Sequence, residues 1–389
     1  MKKNYLFTPG PTMVPPEVTL AEAQPMIHHR TPQFSQIFYE MSEDLKYLFQ
    51  TKTGEVFTLM SSGTGAMEAC VANVLSKGNK ALVVVSGKFG ERWAELCKCF
   101  GIETITIDVE NGKAVNPADI EAAFKKTPGI NVVFTTQCET STGVVHDIKT
   151  ISPIVKKHGA LLVVDAITGI GVHPLLMDEW NIDVAITGSQ KGCMMPPGLA
   201  FVCVNSSAWS VIEKTDLPRY YWDFRKMRKE LKNKTTPFTP AVSLAMAMKT
   251  ALDMIKKEGI ENVWKRHARL AHATRESVKA LGLELFAGEH SSNVLTAIKS
   301  PQGVDVDKII KKLRDETGVT FTGGQDELKG KIIRIGHMGY VNDFDIIVAI
   351  AALEKGLYEA GYPVALGKGL ATAQSLLVKV FRGQTFIVQ

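Results

Sequence analysis

The sequence of 389 residues has no apolar run of the roughly 18 residues expected of a membrane-crossing helix. Its first residues, MKKNYLFTPGPT, carry two lysines but no apolar core of signal-peptide length before the prolines. We therefore expect a cytoplasmic protein with no membrane partner. Cysteine is sparse and scattered. Cys70, Cys97, Cys99, Cys138, Cys193 and Cys203 include no C-x-x-C pair, and no histidine stands at metal-ligand spacing from them. That excludes the usual zinc patterns, and no metal is expected. Most of these thiols sit among apolar residues and read as small packing groups. An excess of one charge is also missing: the net charge is +5, without basic blocks, so nucleic acid is not an expected partner. Neither G-x-G-x-x-G nor a Gly-Lys-Ser/Thr loop occurs, which argues against a Rossmann dehydrogenase and against a P-loop nucleotide site. Repeats and low-complexity segments are absent as well.

What is present is an ordinary globular composition, 45% hydrophobic and 22% charged. From about 55 to 205, seven β-rich runs (EVFTLMS, KALVVVSG, ETITIDV, NVVFTTQ, ALLVVDAI, VAITGS, LAFVCVN) are interleaved with helical stretches. Runs of Val, Ile and Thr too continuous to alternate suit strands covered on both faces. The pattern predicts an α/β fold with a mostly parallel seven-stranded sheet. DLPRYYWDFRKMRKELKNKTTPFTP then reads as a polar excursion, and residues 241–282 as long helix bending near Gly259. An α+β module follows, ending in a tail expected to form a last helix and strand. The expected division is an N-terminal segment 1–20, a large domain 21–255 and a small C-terminal domain 256–389.

Three stretches could carry chemistry. In SSGTGAMEA a strand gives way to a helix, so Ser62, Gly63 and Thr64 offer backbone N–H groups to an anion; an ordinary βα turn would look alike. In LLVVDAITG, Asp165 ends an apolar strand at the sheet edge where open α/β folds bind ligands. It could cap a turn or hold a positive ring nitrogen. In GSQKGCMMPPG, Lys191 follows a third strand on that same edge, where a solvent-exposed lysine would be the plainer reading. Anion cradle, carboxylate and lysine together are what pyridoxal 5'-phosphate requires for its phosphate, its ring nitrogen and its aldehyde.

Taken in order with LFTPGPTMVPPEV, TQCETSTGVV and KIIRIGHMG, these motifs resemble the class V aminotransferases of fold type I, the alanine–glyoxylate and serine–pyruvate group, over nearly the whole chain. The resemblance implies that Lys191 joins the cofactor's aldehyde and moves the substrate's proton. Asp165 would pair with the ring nitrogen, Ser62, Gly63 and Thr64 would hold the phosphate, and Gln190 would add a donor to it. Phe89 would stack on one ring face and Ile167 pack under the other, with Thr140 bonding the ring oxygen. Arg334 would grip the substrate carboxylate, although alone it reads as a strand-edge arginine in a surface ion pair. Gly10 would line the substrate pocket. The resemblance also implies a homodimer with a shared site, Thr236 or Thr239 reaching the neighbouring subunit's phosphate. The expected reaction is ping-pong transamination between a small amino acid, alanine or serine, and a small 2-oxo acid, glyoxylate or pyruvate. Two rivals share the fold: a lyase of the desulfurase type, and a non-catalytic binding or subunit protein. Gln190 where desulfurases carry histidine, and the lack of any cysteine after Cys203, count against the first.

Overall fold

The computed structural model describes residues 3–378. The seven predicted strands form one sheet: β1 (Glu55–Leu59), β2 (Lys80–Val85), β3 (Glu103–Asp108), β4 (Ile130–Thr136), β5 (Leu161–Asp165), β6 (Val184–Gly188) and β7 (Ala200–Val204). Their order is β1-β7-β6-β5-β4-β2-β3, and only β7 runs against its two neighbours.

The unbroken apolar runs have a simple cause. Successive side chains point to opposite faces of a strand, and here both faces are covered. Leu82, Val84, Val133, Leu162 and Val164 enter one core with the helices Pro32–Phe49 and Val242–Glu258. Ala81, Val83, Val132, Phe134 and Val163 enter the other, against the helices Gly63–Val74 and Lys88–Cys99. There Trp93 stacks on Phe134 with ring centroids 4.6 Å apart, a pairing that adds about 1 kcal/mol to its buried area.

Two expectations need revision. The long helix does not merely bend: Gly259, at φ +85° and ψ 131°, separates Val242–Glu258 from Ile260–Ala280. That backbone conformation is open to glycine and strained for other residues, so the helix stops there. The polar excursion also contains a helix, Phe224–Lys232, capped by the Asp223 carboxylate, which accepts the Arg225 N–H. Its apolar residues Phe224 and Met227 are buried, two positions spaced for one helix face that charged neighbours hide in the sequence. The expected boundary at 255 falls within the helix Val242–Glu258.

Toward the C-terminus Ile332–Gly336 is the middle strand of a three-stranded sheet, flanked by Leu295–Lys299 and Thr322–Gly323. Arg334 is therefore on a central strand and is buried, 5% exposed, which overturns its strand-edge reading. The tail forms the helix Lys368–Leu377, and the strand expected after it lies outside the described residues.

The N-terminal segment ties the two sheets together. Tyr5–Leu6 pairs in parallel with Val319–Thr320, and the Phe7 carbonyl accepts the Gly336 N–H at 2.7 Å. Farther on, Thr12 donates its N–H to the Gln190 carbonyl and its hydroxyl to the Lys191 carbonyl, each at 3.2 Å. Among the described residues no helix is long and apolar enough to cross a membrane.

Candidate active site

Five strands deliver their C-terminal ends to one cleft. After β1 come Ser62, Gly63 and Thr64; after β2, Phe89; after β4, Thr140; after β5, Asp165 and Ile167; after β6, Gln190 and Lys191. All nine line the same cavity. The topology explains this, since parallel strands end at one edge and their loops meet there.

Ser62 precedes the helix Gly63–Val74 with extended backbone, and its side chain makes no cap. The N–H groups of Gly63 and Thr64 open that helix, and no described residue accepts from them. Helix starts leave such donors free for an anion. A Cβ on Gly63 would sit 2.4 Å from Ile167 Cδ1, so the cradle and the Ile167 side chain leave each other no spare room.

Asp165 is buried. One oxygen accepts the Ile167 N–H at 2.8 Å; the other has no partner among the described residues. Burial pushes this carboxyl up to about 7, aided by the nearby Glu139 charge and opposed by the Ile167 N–H, Arg92 and Lys191. A carboxylate so placed gains from a cationic partner in the cleft. Gln190 Oε1 is likewise buried without a partner.

Lys191 Nζ donates to the Pro9 carbonyl at 2.5 Å. Burial lowers its pKa from 10.5 to about 8; Asp165 opposes the shift and Arg334 adds to it. The backbone around it is pinned. Its carbonyl accepts the Met194 N–H at 3.0 Å, Ser189 Oγ donates to the Pro196 carbonyl at 2.6 Å, and Met194 takes a φ of +59° to close the turn. A Cβ on Gly10 would stand 2.2 Å from Nζ, and Gly10 has φ +107°. Glycine is needed there twice over.

Arg334 does not line the cavity itself but contacts a residue that does, Thr140. Nε donates to the Gly323 carbonyl at 2.9 Å and Nη1 to the Thr140 carbonyl at 2.7 Å, leaving Nη2 without a described acceptor. Burial lowers its pKa to about 10, still far above neutrality, so the guanidinium stays charged. Thr236 and Thr239 do not line this chain's own cleft. The Thr236 hydroxyl donates to the Phe238 carbonyl at 2.7 Å, and Thr239 is exposed.

Three cleft residues escaped the sequence reading: Arg92, Cys138 and Thr168. Arg92 lies three residues beyond Phe89 on one helix, hence on the same face, a spacing that could have revealed it. Its Nη1 donates to Thr64 Oγ1 at 3.2 Å, and its guanidinium lies 4.8 Å from the Phe89 ring centre. Cys138 opens the short strand Cys138–Glu139, which leads into the turn that carries Thr140. Burial pushes its thiol well above the ordinary range.

An amine held against a single carbonyl, a carboxylate with one free oxygen and an open helix start share this cleft, and the comparisons decide what family builds it. The aminotransferase class-V family matches residues 4–340. The chain belongs to the class V aminotransferases. It is 44% identical to a protein of Synechococcus sp. named as the small subunit of a soluble hydrogenase, covering 96% of this chain and 98% of that one. It is 38% identical to the L-aspartate–glyoxylate aminotransferase of Paracoccus denitrificans, with 96% of each chain covered. The solved ureidoglycine–glyoxylate aminotransferase of Bacillus subtilis superposes with a TM-score of 0.91 at 29% identity, covering 97% of this chain and 98% of its own. This class V aminotransferase therefore has the expected fold, an α/β architecture on a mostly parallel seven-stranded sheet. Among its described residues no group of three or more His, Cys, Asp or Glu side chains is placed to hold a metal ion.

Proposed function

We propose that this aminotransferase uses pyridoxal 5'-phosphate to pass an amino group from a small amino acid, alanine or serine, to glyoxylate or pyruvate, in a ping-pong cycle. The observation that carries the reading is the shared cleft: a lysine amine near neutrality, a buried carboxylate with a free oxygen, and unpartnered N–H groups at a helix start. Each of the three matches one need of the cofactor, and the glycines at 10 and 63 leave room that a Cβ would take.

Bound pyridoxal phosphate supplies an aldehyde to carry the amino group and a cationic ring that draws electrons from the substrate's α-carbon. The N–H groups of Ser62, Gly63 and Thr64 would hold its phosphate, with the Gln190 amide as a further donor. Phe89 and Ile167 would confine the ring, and the Thr140 hydroxyl would bond its oxygen. Asp165 would pair with the ring nitrogen, whose positive charge would stabilise the ionised carboxylate. Lys191 Nζ would hold the aldehyde and, once freed by the substrate's amine, would serve as the base for the amino acid's α-proton and the acid for the accepting oxo acid's α-carbon. Its lowered pKa keeps part of the population neutral, as attack requires. Arg334 turns Nη2 to the substrate carboxylate, and Gly10 lines that pocket.

Both aminotransferases compared above name glyoxylate, with different amino donors, which supports glyoxylate as acceptor. We place the reaction in a cytoplasmic homodimer in which Thr236 or Thr239 of one subunit reaches the other's phosphate, and divide the chain into a cofactor domain 21–255 and a small domain 256–389. The test is spectroscopic. Protein mixed with pyridoxal phosphate develops a visible band; alanine, serine or aspartate, added singly, bleaches it, and glyoxylate restores it. No visible band with added cofactor refutes the proposal. Sulfide release from cysteine favours the lyase, and a band that no amino acid bleaches favours the subunit role in the Synechococcus relative's name.

A further inference from the structure

We propose that Glu139 is a positioning residue that locks the ring platform Phe89 and the substrate clamp Arg334 into one register. The inference rests on the cleft being a pyridoxal phosphate site.

Glu139 is fully buried and does not line the cleft. Its Oε2 accepts the N–H groups of Phe89 at 3.0 Å and Gly90 at 3.1 Å. Its Oε1 accepts from Ser141 twice, from the N–H at 3.1 Å and the hydroxyl at 2.5 Å. Ser141 Oγ in turn accepts the Lys88 N–H at 3.1 Å. Three consecutive N–H groups at the start of the helix Lys88–Cys99, groups that a helix cannot satisfy itself, are thus held by a segment some 50 residues away in sequence. The helix's own cap position, Gly87, has no side chain to offer, and a Cβ there would lie 2.4 Å from Ser141 Oγ and 2.8 Å from Glu139 Cδ. The external cap fits without slack.

Between the two capping residues stands Thr140. Its side chain lines the cleft and its carbonyl accepts Arg334 Nη1. The tripeptide Glu139-Thr140-Ser141 therefore touches the ring platform on one side and the clamp on the other. A shift of the tripeptide moves both. The site demands a carboxylate, because both oxygens face donors and an amide of the same size would turn its NH2 toward one pair of them. Burial raises the pKa of this carboxyl, opposed first by the Ser141 hydroxyl and N–H and then by the helix-start N–H groups of Gly90 and Phe89.

The experiment compares the holoenzymes of wild type, Glu139→Gln and Ser141→Ala. It measures the dissociation constant for pyridoxal phosphate, the visible circular dichroism of the bound cofactor, and KM and kcat for the amino donor. Loss of a charge-assisted pair predicts roughly tenfold weaker cofactor binding and a roughly tenfold higher KM in Glu139→Gln, with a diminished dichroic band. Ser141→Ala shows the same changes at about threefold, with native far-ultraviolet dichroism, and decides the matter if Glu139→Gln fails to fold. Variants with a lower unfolding temperature but wild-type dichroic band and KM overturn the proposal. If wild type itself binds no cofactor, the parent reading fails and takes this one with it; the wild-type spectrum tells the two failures apart.

Discussion

Replacing Lys191 with methionine should stabilise the cofactor-free protein at neutral pH. Methionine matches the length of the lysine stem and carries no charge. Below about pH 8 Lys191 is protonated in both the folded and the unfolded chain, and the folded one holds that charge at a buried amine. The drop in pKa from 10.5 to about 8, at about 1.4 kcal/mol for each tenfold change in proton affinity, corresponds to roughly 3 kcal/mol of destabilisation. Between those pH values the unfolded chain binds a proton that the folded chain does not, so wild-type stability climbs with pH. Above 10.5 the penalty is gone. The substitution also removes the hydrogen bond to the Pro9 carbonyl, a loss of about 1 kcal/mol. The net expectation is a gain of about 2 kcal/mol at pH 7 that reverses to a loss of about 1 kcal/mol near pH 11. Urea unfolding of both proteins at the two pH values measures it. A variant equal to or weaker than wild type at pH 7 refutes the claim that this amine is held against its own solvation.

Gly10→Ala should lower kcat/KM by about 100-fold, because the added methyl displaces Lys191 Nζ by an ångström or more; steady-state kinetics at wild-type level would show that the lysine is free to move aside. Acid should unfold the protein between about pH 6 and 4. His146 accepts the Val115 N–H at Nδ1 and His173 accepts the Asn293 N–H at Nε2, and burial lowers both to about 4. Below 6.5 the unfolded chain takes up protons that these rings refuse, so each removes up to about 3 kcal/mol as the pH falls toward 4. Circular dichroism against pH measures this, and stability flat over that range would count against it.

The strands and the residues at their ends were legible because each is a local signal. An apolar run such as LLVVD ends in a carboxylate, and parallel topology does the rest. Arg334 was legible only through its resemblance, since its strand gains two neighbours that lie 10 to 40 residues off in sequence. Glu139 could not be read from its own surroundings. Its partners at 89 and 90 belong to another βα unit, and nothing in CETSTG announces a helix cap. The break at Gly259 reads as a bend in the sequence because glycine in a helical stretch signals weakness there but not the angle it takes.

The N-terminal strap has a consequence for the order in which the protein is made. Residues 5–12 are made well before most of their partners: they pair with Val319–Thr320, Gly336 and the turn at Lys191. The contacts that hold Pro9 against Lys191 are thus incomplete until translation has passed residue 336. A chain that stops short of residue 319 would carry every residue lining the cleft but neither Arg334 nor the strands that anchor residues 5–7.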